Sequence, residues 1–490
     1  MPGLDQASPR KRRSPVRSVS RSLVPVLLMI VAAAGAAYAQ SRTFQHVIVI
    51  VQENRTPDNL FQGLCRRFDS CSTNPSFFQY DIQTDYWRDK AQPDGLIQPL
   101  LVPLASSYDL NHSHEAFVSQ CDLDAATRTC AMDGGAKVSC SGTCPTQPQY
   151  RYVDNSSRVL DPYIDLATSY AWANYMFQTN QGPSFPAHQF LFGGTSAPTA
   201  RDDALGIFAA ENGKGGDVAG CIASAGTTVS LISPPGVESE SIYPCFEHDT
   251  VPDILPANIS WKYYAPSAGS IWTAPDAIRH ICQPDLPTDG KCIGPEWRQH
   301  VDLKSADVLT DISKCSLPQL SWVIPTGQNS DHASINTGGG PDWVASIVNA
   351  VGESACPTAD GGSYWETTAI LILWDDWGGW YDHVPPEILP QPQGDYQYGF
   401  RVPFIFVSAY TRAGLIENSR HDFGSILRFL EANFGVKEGG LDFADARARD
   451  SLNGFFDFRL LPRPFAIIPT VRSAASFIND TTPPTDPDDD

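Results

Sequence analysis

Two short polar segments follow apolar stretches of the sequence and could together bind a metal ion. Glu53-Asn54 follows the apolar run His46–Val51, and Asp375-Asp376 follows Ala369–Trp374. If the two runs are parallel strands of one open sheet, their carboxyl ends lie at the edge where such sheets bind ligands. Carboxylate and amide oxygens converging there favour a divalent metal ion such as Mg²⁺, Ca²⁺ or Mn²⁺. Taken alone, each pair is more typical of a solvated turn or a helix cap.

A serine and several histidines could carry nucleophilic and acid–base chemistry. Ser184 lies in the segment Gly182–Pro186, where the glycine and the two prolines would fix the direction of its hydroxyl. The segment does not match the G-x-S-x-G elbow of the α/β-hydrolases, and alone it is typical of an ordinary turn. Gly378-Gly379 would let a ligand approach the backbone closely. The chain has ten histidines, and those beside other polar residues include His112, His114, His332 and His383.

The elements that would position these residues indicate an α/β fold. The apolar runs His46–Val51, Ala369–Trp374 and Val402–Ser408 are typical of strands buried on both faces of a parallel sheet. Pro341–Val351 and Asp422–Phe434 have apolar residues at helical spacing. Because strands alternate with helices, we predict a three-layer α/β/α sandwich with a mainly parallel central sheet.

Two segments rich in cysteine, proline and glycine, at about 62–160 and 210–320, interrupt this pattern. We predict that they are insertions forming a cap over the ligand-binding edge of the sheet. The chain has twelve cysteines, and their spacing suggests local disulfides, although connectivity does not follow from sequence. A zinc site using Cys140 and Cys144 is the alternative, which an export signal disfavours. The suggested pairs are Cys65 with Cys71, Cys121 with Cys130, Cys140 with Cys144, Cys221 with Cys245, Cys282 with Cys292, and Cys315 with Cys356.

The first 39 residues have the features of a secretory signal peptide. A basic leader precedes the apolar run Leu23–Ala37, and a small-x-small site predicts cleavage after Ala39. The run is short for a membrane span, so an uncleaved anchor is the weaker alternative; the export route, Sec or twin-arginine, stays open. We therefore expect a secreted or periplasmic protein without a stable membrane anchor. A single catalytic domain would cover 40–475, and 476–490 would be a disordered acidic tail.

The charge of the chain restricts its partners. Without the leader, which has six basic residues and one acid, the formal net charge would be −26 rather than −21. A protein this acidic repels polyanions, which disfavours general binding to nucleic acid or to anionic membranes. A phosphate-bearing ligand would therefore need local positive charge from a metal ion or from a few side chains.

Taken in order, the polar and apolar segments resemble the bacterial phosphoesterase family that contains phospholipases C and a group of acid phosphatases, and that is related to the alkaline-phosphatase-like fold. The resemblance extends over roughly 45–435, and the order of the segments makes it more specific than any one motif. The segments that carry it are His46–Gly63, Asp109–Ser113, Gly182–Pro186, Ser330–His332, Asp375–Pro386, Gly399–Pro403 and Ser425–Glu431.

The resemblance implies a role for most of the polar residues named above. Ser184 is similar to the nucleophile of the family, and His112 and His332 are similar to histidines that contact phosphate or protonate the leaving group. The family usually reads Pro-Asn-Arg after the nucleophile, whereas Pro186-Ala187-His188 lacks that cation. The implied metal ligands are Glu53, Asn54, Asp375 and Asp376. We assign contacts with the substrate to His114, His188, Asp382 and His383, the last two matching an Asp-His pair with a more structural role.

These roles predict an exported, metal-dependent phosphoesterase that hydrolyses phosphate esters through a phosphoserine intermediate. Its substrate would be a phospholipid, as for a phospholipase C, or a small phosphomonoester, as for an acid phosphatase, and the sequence does not decide between them. A secreted binding protein that keeps the fold without catalysis is the alternative, because Ala187, His188 and Trp377 depart from the family pattern. A sulfatase fits poorly, because the Cys/Ser-x-Pro-x-Arg signature of that class is absent.

Overall fold

The two apolar runs that precede the acidic pairs form neighbouring strands of an eight-stranded sheet. The computed structural model describes residues 43–485 except 69, 125, 215–217, 235, 286–289, 359–361 and 389–397, and one compact unit begins at Phe44. The predicted signal peptide, 1–39, and residues 486–490 of the predicted tail lie outside the described residues. The strands of the sheet are β1 (His46–Gln52), β2 (Ala171–Ala173), β3 (Trp261–Tyr264), β4 (Val301–Asp302), β5 (Leu320–Val323), β6 (Thr368–Trp374), β7 (Phe404–Val407) and β8 (Leu415–Glu417).

The sheet is mainly parallel, as predicted. Its strand order is β4-β3-β5-β1-β6-β7-β2-β8, and within the described part of the sheet only β7 runs antiparallel to its neighbours. β1 and β6 lie at the centre and pair in register up to Gln52 with Trp374. Both are buried along almost their whole length. Strands covered on both faces have no polar side, which explains why these two are continuous apolar runs in the sequence.

One face of the sheet packs against a helix that begins at Ser184. The register pairs Val49 of β1 with Trp322 of β5 and with Leu371 of β6, so these three side chains lie on the same face. The ring of Trp322 contacts Phe192 edge-on, with 5.1 Å between centroids. The longest helices of the described chain are α1 (His114–Cys121), α2 (Asp161–Ser169), α3 (Ser184–Gly193), α4 (Gly340–Gly352) and α5 (Phe423–Asn433).

The opposite face packs against α2. Trp374 lies three residues after Leu371 on β6 and therefore points to the other side of the sheet. Its ring contacts Tyr163 of α2 at 5.1 Å between centroids, and α4 packs beside α2. Helices thus cover both faces, and the predicted three-layer α/β/α sandwich is confirmed. The two helices predicted from apolar spacing are α4 and α5, with ends that differ from the prediction by one residue.

The run Val402–Ser408 is not one strand of the parallel sheet, and that prediction is wrong. Pro403 has no backbone N–H to donate, and the run divides there. Arg401–Val402 joins a small sheet with Met176–Phe177 and His421–Asp422, whereas Phe404–Val407 is β7. A strand buried on both faces is apolar whichever way it runs, so its composition could not reveal that β7 is antiparallel.

The cysteine-rich segments are held together by local disulfides. All six pairs suggested by spacing are bonded, including Cys140 with Cys144, which leaves neither thiol for a zinc site. The segment 210–320 is more than an insertion, because β3 and β4 of the central sheet come from it. These strands are short and have no apolar run, and for this reason they escaped notice in the sequence. Two further strands of the segment, Val229–Ser233 and Val237–Ile242, form an antiparallel sheet with Phe208–Ala209, which directly precedes the segment.

The remaining described elements are short. Within the described part of the chain no helix has the length and apolar character needed to span a membrane. Residues 476–478 of the predicted tail lie in a short helix, and Gln328 donates a hydrogen bond to the carbonyl oxygen of Pro483. The short helices are Pro57–Leu60, Gln62–Phe68, Ala200–Ala204, Val251–Ile254, Arg279–Cys282, Pro295–His300, Asp307–Ser313, Tyr364–Thr367, Ala444–Arg447 and Ala474–Ile478, and the paired short strands are Trp87–Arg88 with Leu96–Ile97, Leu100–Val102 with Arg151–Val153, Tyr108–Leu110 with Cys140–Gly142, and Leu123–Asp124 with Thr129–Cys130.

Candidate active site

The two acidic pairs meet at the carboxyl edge of the sheet. β1 and β6 end side by side, so Glu53 and Asp375 continue from paired positions, and the backbone N–H of Asn54 donates to Asp375 Oδ1 at 3.1 Å. All four residues of the two pairs, Asp376 included, are at most 1% exposed. The predicted convergence of the two segments is therefore present in the structure.

Gly378 and Gly379 allow the turn after β6 to pack against the turn after β1. Asn54 has a φ of 61° and Gly378 a φ of 60°, a region that glycine adopts without strain and that asparagine tolerates. A Cβ on Gly378 would lie 2.5 Å from the carbonyl oxygen of Asn54. We predicted that these glycines let a ligand approach the backbone closely. In the structure, the backbone of Asn54 itself lies this close to Gly378. Asp376 is fixed by the same turn, because the N–H of Gly378 donates to its Oδ1 at 2.7 Å.

Ser184 is the first residue of α3, and its hydroxyl faces the acidic edge. Its Oγ donates to Asp376 Oδ2 at 3.1 Å and lies 3.5 Å from Asn54 Oδ1. Pro183 precedes the helix in an extended conformation, and Pro186 lies in the first turn, where a missing N–H costs no intrahelical bond. The amino end of a helix has a partial positive charge, which favours negative charge developing on the serine oxygen.

His112 is held beside Asn54 by two hydrogen bonds. Its Nδ1 lies 2.9 Å from the carbonyl oxygen of Leu110, which can only accept, so Nδ1 has the proton. Its Nε2 lies 3.0 Å from Asn54 Nδ2 and accepts from that amide. The same Nε2 is 3.9 Å from Asp376 Oδ2. His112 therefore contacts the residues that surround Ser184.

His332 is brought to the same place by the loop after β5. Its Nδ1 donates to the carbonyl oxygen of Ala333 at 2.6 Å, and its ring lies 6.0 Å from that of His112 between centroids. The preceding residue, Asp331, anchors the loop: Tyr163 Oη and Trp374 Nε1 both donate to its Oδ2, at 2.8 and 3.0 Å. The two histidines predicted to act on phosphate thus lie in one group.

The side chain of His188 lies beside those of Glu53 and Asp375. It follows Ser184 by four residues on α3, and residues at this spacing share one face of a helix. Its Nε2 is 3.2 Å from Glu53 Oε1 and 3.8 Å from Asp375 Oδ2. Burial lowers the pKa of His188 to about 4, despite the nearby charge of Asp375, so the imidazole is neutral near pH 7 and can act as a metal ligand.

The surroundings of these three side chains fit a divalent cation. Their donor atoms lie within 4.8 Å of one another. Glu53 Oε2, Asp375 Oδ2 and His188 Nδ1 are buried and make no hydrogen bond to any residue that the structure describes. Burial, and then the charge of Asp375, raise the pKa of Glu53 and of Asp376 well above the usual values. A cation would offset this repulsion and satisfy the two carboxylate oxygens.

The structure divides the predicted metal ligands into two groups. Glu53 and Asp375 lie with His188, which we assigned to the substrate. Asn54 and Asp376 contact Ser184 and His112 instead. The side-chain oxygens of Asp376 are both engaged, one by Gly378 and one by Ser184. The second residue of each pair faces Ser184 at the first position of α3, whereas the first residue of each pair faces His188 one turn further along the same helix.

His114 lies near Ser184, whereas Asp382 and His383 belong to a separate cluster. His114 Nδ1 donates to the carbonyl oxygen of Gln181, three residues before Ser184. His383 Nδ1 and Nε2 lie 2.8 and 2.9 Å from carboxylate oxygens of Asp58 and Asp81. Asp382 pairs with the buried Arg401 at 3.0 Å. The contacts of Asp382 and His383 are thus those of a buried ion-pair network, which agrees with the more structural role of the Asp-His pair, and their contact with the substrate stays a prediction.

Two residues of the site were missed in the sequence, Glu211 and Asn212. The N–H of His114 donates to Glu211 Oε1 at 2.9 Å, and the N–H of Phe185 donates to Asn212 Oδ1 at 3.0 Å. Burial raises the pKa of Glu211 to about 7. Both residues lie in the segment 210–320, which we call the cap segment, in a stretch without a recognisable motif, and only tertiary packing brings them to the site.

A family model described as the Phosphoesterase family matches residues 44–437, and the chain belongs to this family. Non-hemolytic phospholipase C of Pseudomonas aeruginosa is 27% identical over 220 residues, which cover 39% of this chain and 30% of that protein. Phospholipase C B of Mycobacterium tuberculosis is 30% identical over 181 residues, or 32% of this chain and 33% of that protein. The matched segments thus span about a third of each relative. A solved protein of the alkaline phosphatase superfamily from Vibrio parahaemolyticus covers 73% of this chain and 71% of its own, with 11% identity and a TM-score of 0.31.

Proposed function

We propose that this protein is an exported phosphoesterase that hydrolyses phosphate esters through a phosphoserine formed on Ser184. The hydrogen bond from Ser184 Oγ to Asp376 Oδ2, at the positive end of α3, is the observation that supports this most directly. Membership of the family, and relatives named as phospholipases C, support the same class of reaction. The six disulfides support export, because such bonds persist in oxidising compartments.

We assign the metal ion to Glu53, Asp375 and His188. When bound there, a divalent cation would neutralise charge on the phosphoryl oxygens and lower the pKa of a coordinated hydroxyl. The imidazole adds a nitrogen donor to the predicted oxygen set. Nitrogen donors suit Zn²⁺ and other transition metals, whereas carboxylates suit Mg²⁺, Ca²⁺ and Mn²⁺. This mixed set therefore favours Mn²⁺ or Zn²⁺ over the alkaline-earth ions.

In the first half of the reaction, Ser184 attacks phosphorus while Asp376 accepts the serine proton. The bond from Oγ to phosphorus forms as the bond from phosphorus to the leaving oxygen breaks. His112 Nε2 accepts from Asn54 and has no proton to give. We therefore assign the proton that the leaving oxygen receives to the imidazolium of His332.

In the second half, water attacks the phosphoserine. The neutral His332 takes a proton from the water, and the bond between phosphorus and Ser184 Oγ breaks as Asp376 returns its proton to the serine. Phosphate leaves, and each side chain regains its starting protonation state. The amino end of α3 favours the negative charge that develops on Oγ in both halves.

The substrate class is the finer part of the proposal. Relatives named as phospholipases C favour a phosphodiester with a lipid or alcohol leaving group. Serine at position 184 and the loss of the family's arginine at His188 favour a phosphomonoester. Comparing hydrolysis of p-nitrophenyl phosphate with that of p-nitrophenyl phosphorylcholine separates the two, because both release the same chromophore.

Replacing the nucleophile tests the reaction itself. Ser184→Ala removes the attacking oxygen, and we expect turnover of both esters to disappear while the thermal midpoint is retained. Ser224→Ala, at an exposed position in the cap segment, is the matched control and should keep wild-type turnover. Turnover retained in Ser184→Ala would exclude this serine as nucleophile. A wild-type protein with neither turnover nor bound metal would instead favour the binding protein.

A further inference from the structure

Asn212 makes only half of its hydrogen bonds within the described chain. Its Oδ1 accepts from the N–H of Phe185 at 3.0 Å, in the first turn of α3 next to Ser184. The side chain is 1% exposed, and its Nδ2 has no hydrogen-bond partner among the residues that the structure describes. A buried donor without a hydrogen-bond partner destabilises the folded chain, so this amide group requires an explanation.

The orientation of the amide follows from chemistry. A backbone N–H can only donate, so the side-chain atom of Asn212 that faces Phe185 must be the oxygen. The NH₂ group is attached to the same carbon and therefore lies beside the same helix end. Asn212 thus accepts a hydrogen bond from one backbone N–H of α3. Its NH₂ group provides two further N–H donors at the same end of the helix. An acceptor, and above all an anionic oxygen, is the ligand that satisfies such a group at the positive end of a helix.

The cap segment holds Asn212 in this position. The N–H of Ala210 donates to the carbonyl oxygen of Ser230, and Glu211 accepts from the N–H of His114 at the start of α1. Residues 210–212 are therefore fixed to the small sheet of the cap and to the amino ends of two helices. A donor held this rigidly beside the nucleophile needs no reorganisation when charge develops on an oxygen bound there.

We propose that Asn212 donates a hydrogen bond from Nδ2 to a phosphoryl oxygen of the ester that Ser184 attacks. This inference rests on the proposed function, because it uses the same phosphate position. It makes the cap a part of the catalytic machinery, since residues from a segment outside the recognised motifs would touch the substrate.

Two substitutions separate this role from simple helix capping. Asn212→Asp keeps the oxygen that accepts from Phe185 but replaces the donor with a second, negative oxygen. Asn212→Ala removes both functions. Asn258→Asp, at an exposed position in the same segment, adds the same charge away from the site. The measurements are kcat/KM with p-nitrophenyl phosphate, the inhibition constant of inorganic phosphate, the binding of phosphate by calorimetry, and the thermal midpoint.

For Asn212→Asp we expect a thermal midpoint close to that of the wild type, a kcat/KM lower by about 10²–10³-fold, and weaker phosphate inhibition. If Asn212→Asp keeps the wild-type kcat/KM and phosphate inhibition while Asn212→Ala loses them, Asn212 acts only as a helix cap. This outcome would overturn the proposal. If Asn212→Asp does not fold, Asn212→Ala decides through the inhibition constant, and an unchanged constant overturns the proposal. If the wild type has no turnover, the proposed function fails, while calorimetry with inorganic phosphate still tests Asn212.

Discussion

Ser184 Oγ donates a 3.1 Å hydrogen bond to Asp376 Oδ2, although the two residues are 192 positions apart in the sequence. The contact exists because α3 begins opposite the point where β6 ends. The N–H of Gly378 donates to the other oxygen of Asp376 at 2.7 Å, which favours this orientation of the carboxylate. The nucleophile and the proton acceptor that we propose are thereby positioned by the first turn of α3 and the end of β6.

Asp376→Asn should separate activity from stability. The amide can still accept from Ser184 but cannot take up its proton, and loss of a general base costs about 10²–10⁴-fold in kcat. Burial, and then the charge of Asp375, raise the pKa of Asp376 well above its usual value, so the ionised carboxylate destabilises the folded chain. We therefore expect the thermal midpoint in a chelator to stay the same or rise. A lower midpoint would show that Asp376 stabilises the site.

His188→Gln should weaken the binding of transition-metal ions more than that of Mg²⁺. His188 Nε2 lies 3.2 Å from Glu53 Oε1 and provides the nitrogen donor in this group. We expect the affinity for Mn²⁺ and Zn²⁺, measured by calorimetry on chelator-treated protein, to fall by at least about 10-fold. His46→Gln, at the opposite end of β1, is the control and should bind as the wild type does. Equal losses for all ions would contradict a role for the imidazole in metal selectivity.

Gly378→Ala should disrupt the site more than a comparable glycine elsewhere. Gly378 and Gly435 both have a positive φ, of 60° and 75°, which costs an alanine about 1–2 kcal/mol. Only at Gly378 would the added Cβ lie 2.5 Å from the oxygen of Asn54, whereas at Gly435 it meets nothing within 4 Å. We expect Gly378→Ala to lower the thermal midpoint further, and to reduce kcat/KM by about 10²-fold through displacement of Asn54. Equal midpoints and activities would argue against the clash.

The sequence predicted the parts of the site that come from continuous strands and their ends. β1 and β6 are apolar runs, and the acidic pairs follow them directly, so their convergence could be inferred from the rule for parallel sheets. Asn212 could not be found in this way, because it lies after a two-residue strand in the cap segment. A polar residue in such a stretch has no periodicity or motif, and its position depends on packing between segments far apart in the sequence.

The assignment of His188 shows a second limit of the same kind. Its place four residues after Ser184 was apparent, and so was the absence of the arginine that is usual in the family. Its partner was not, because the direction of a helix side chain depends on how α3 packs against the sheet. The strand β7 illustrates a third limit, because the direction of a buried strand does not affect its amino-acid composition. A residue's place within its own strand or helix could be predicted. The contacts of His188 and the direction of β7 could not, because they depend on how separate elements pack.

His383 should stabilise the protein below about pH 6.5 and lose this effect as the pH rises towards 10. Burial lowers its pKa, but the charge of Asp58 and hydrogen bonds to Asp58 and Asp81 outweigh burial and raise the pKa from 6.5 to about 10. The folded chain therefore binds the proton more tightly than the unfolded chain does. The stabilisation is complete below the unfolded value of 6.5 and disappears as the pH passes the folded value of about 10.

His383→Gln provides the measurement of this effect. Breaking one partner of a buried ion-pair network typically costs about 3–5 kcal/mol, and we expect a loss of this order at pH 7. The difference in thermal midpoint between wild type and variant should shrink steadily from pH 7 to pH 10, because above pH 6.5 the unfolded chain releases this proton while the folded chain retains it until the pH nears 10. Kinetic parameters should change little at pH 7, since the contacts of His383 lie with Asp58 and Asp81 and not with Ser184. A difference in midpoint that stays constant or grows with pH would mean that His383 is neutral in the folded protein and contributes through packing alone.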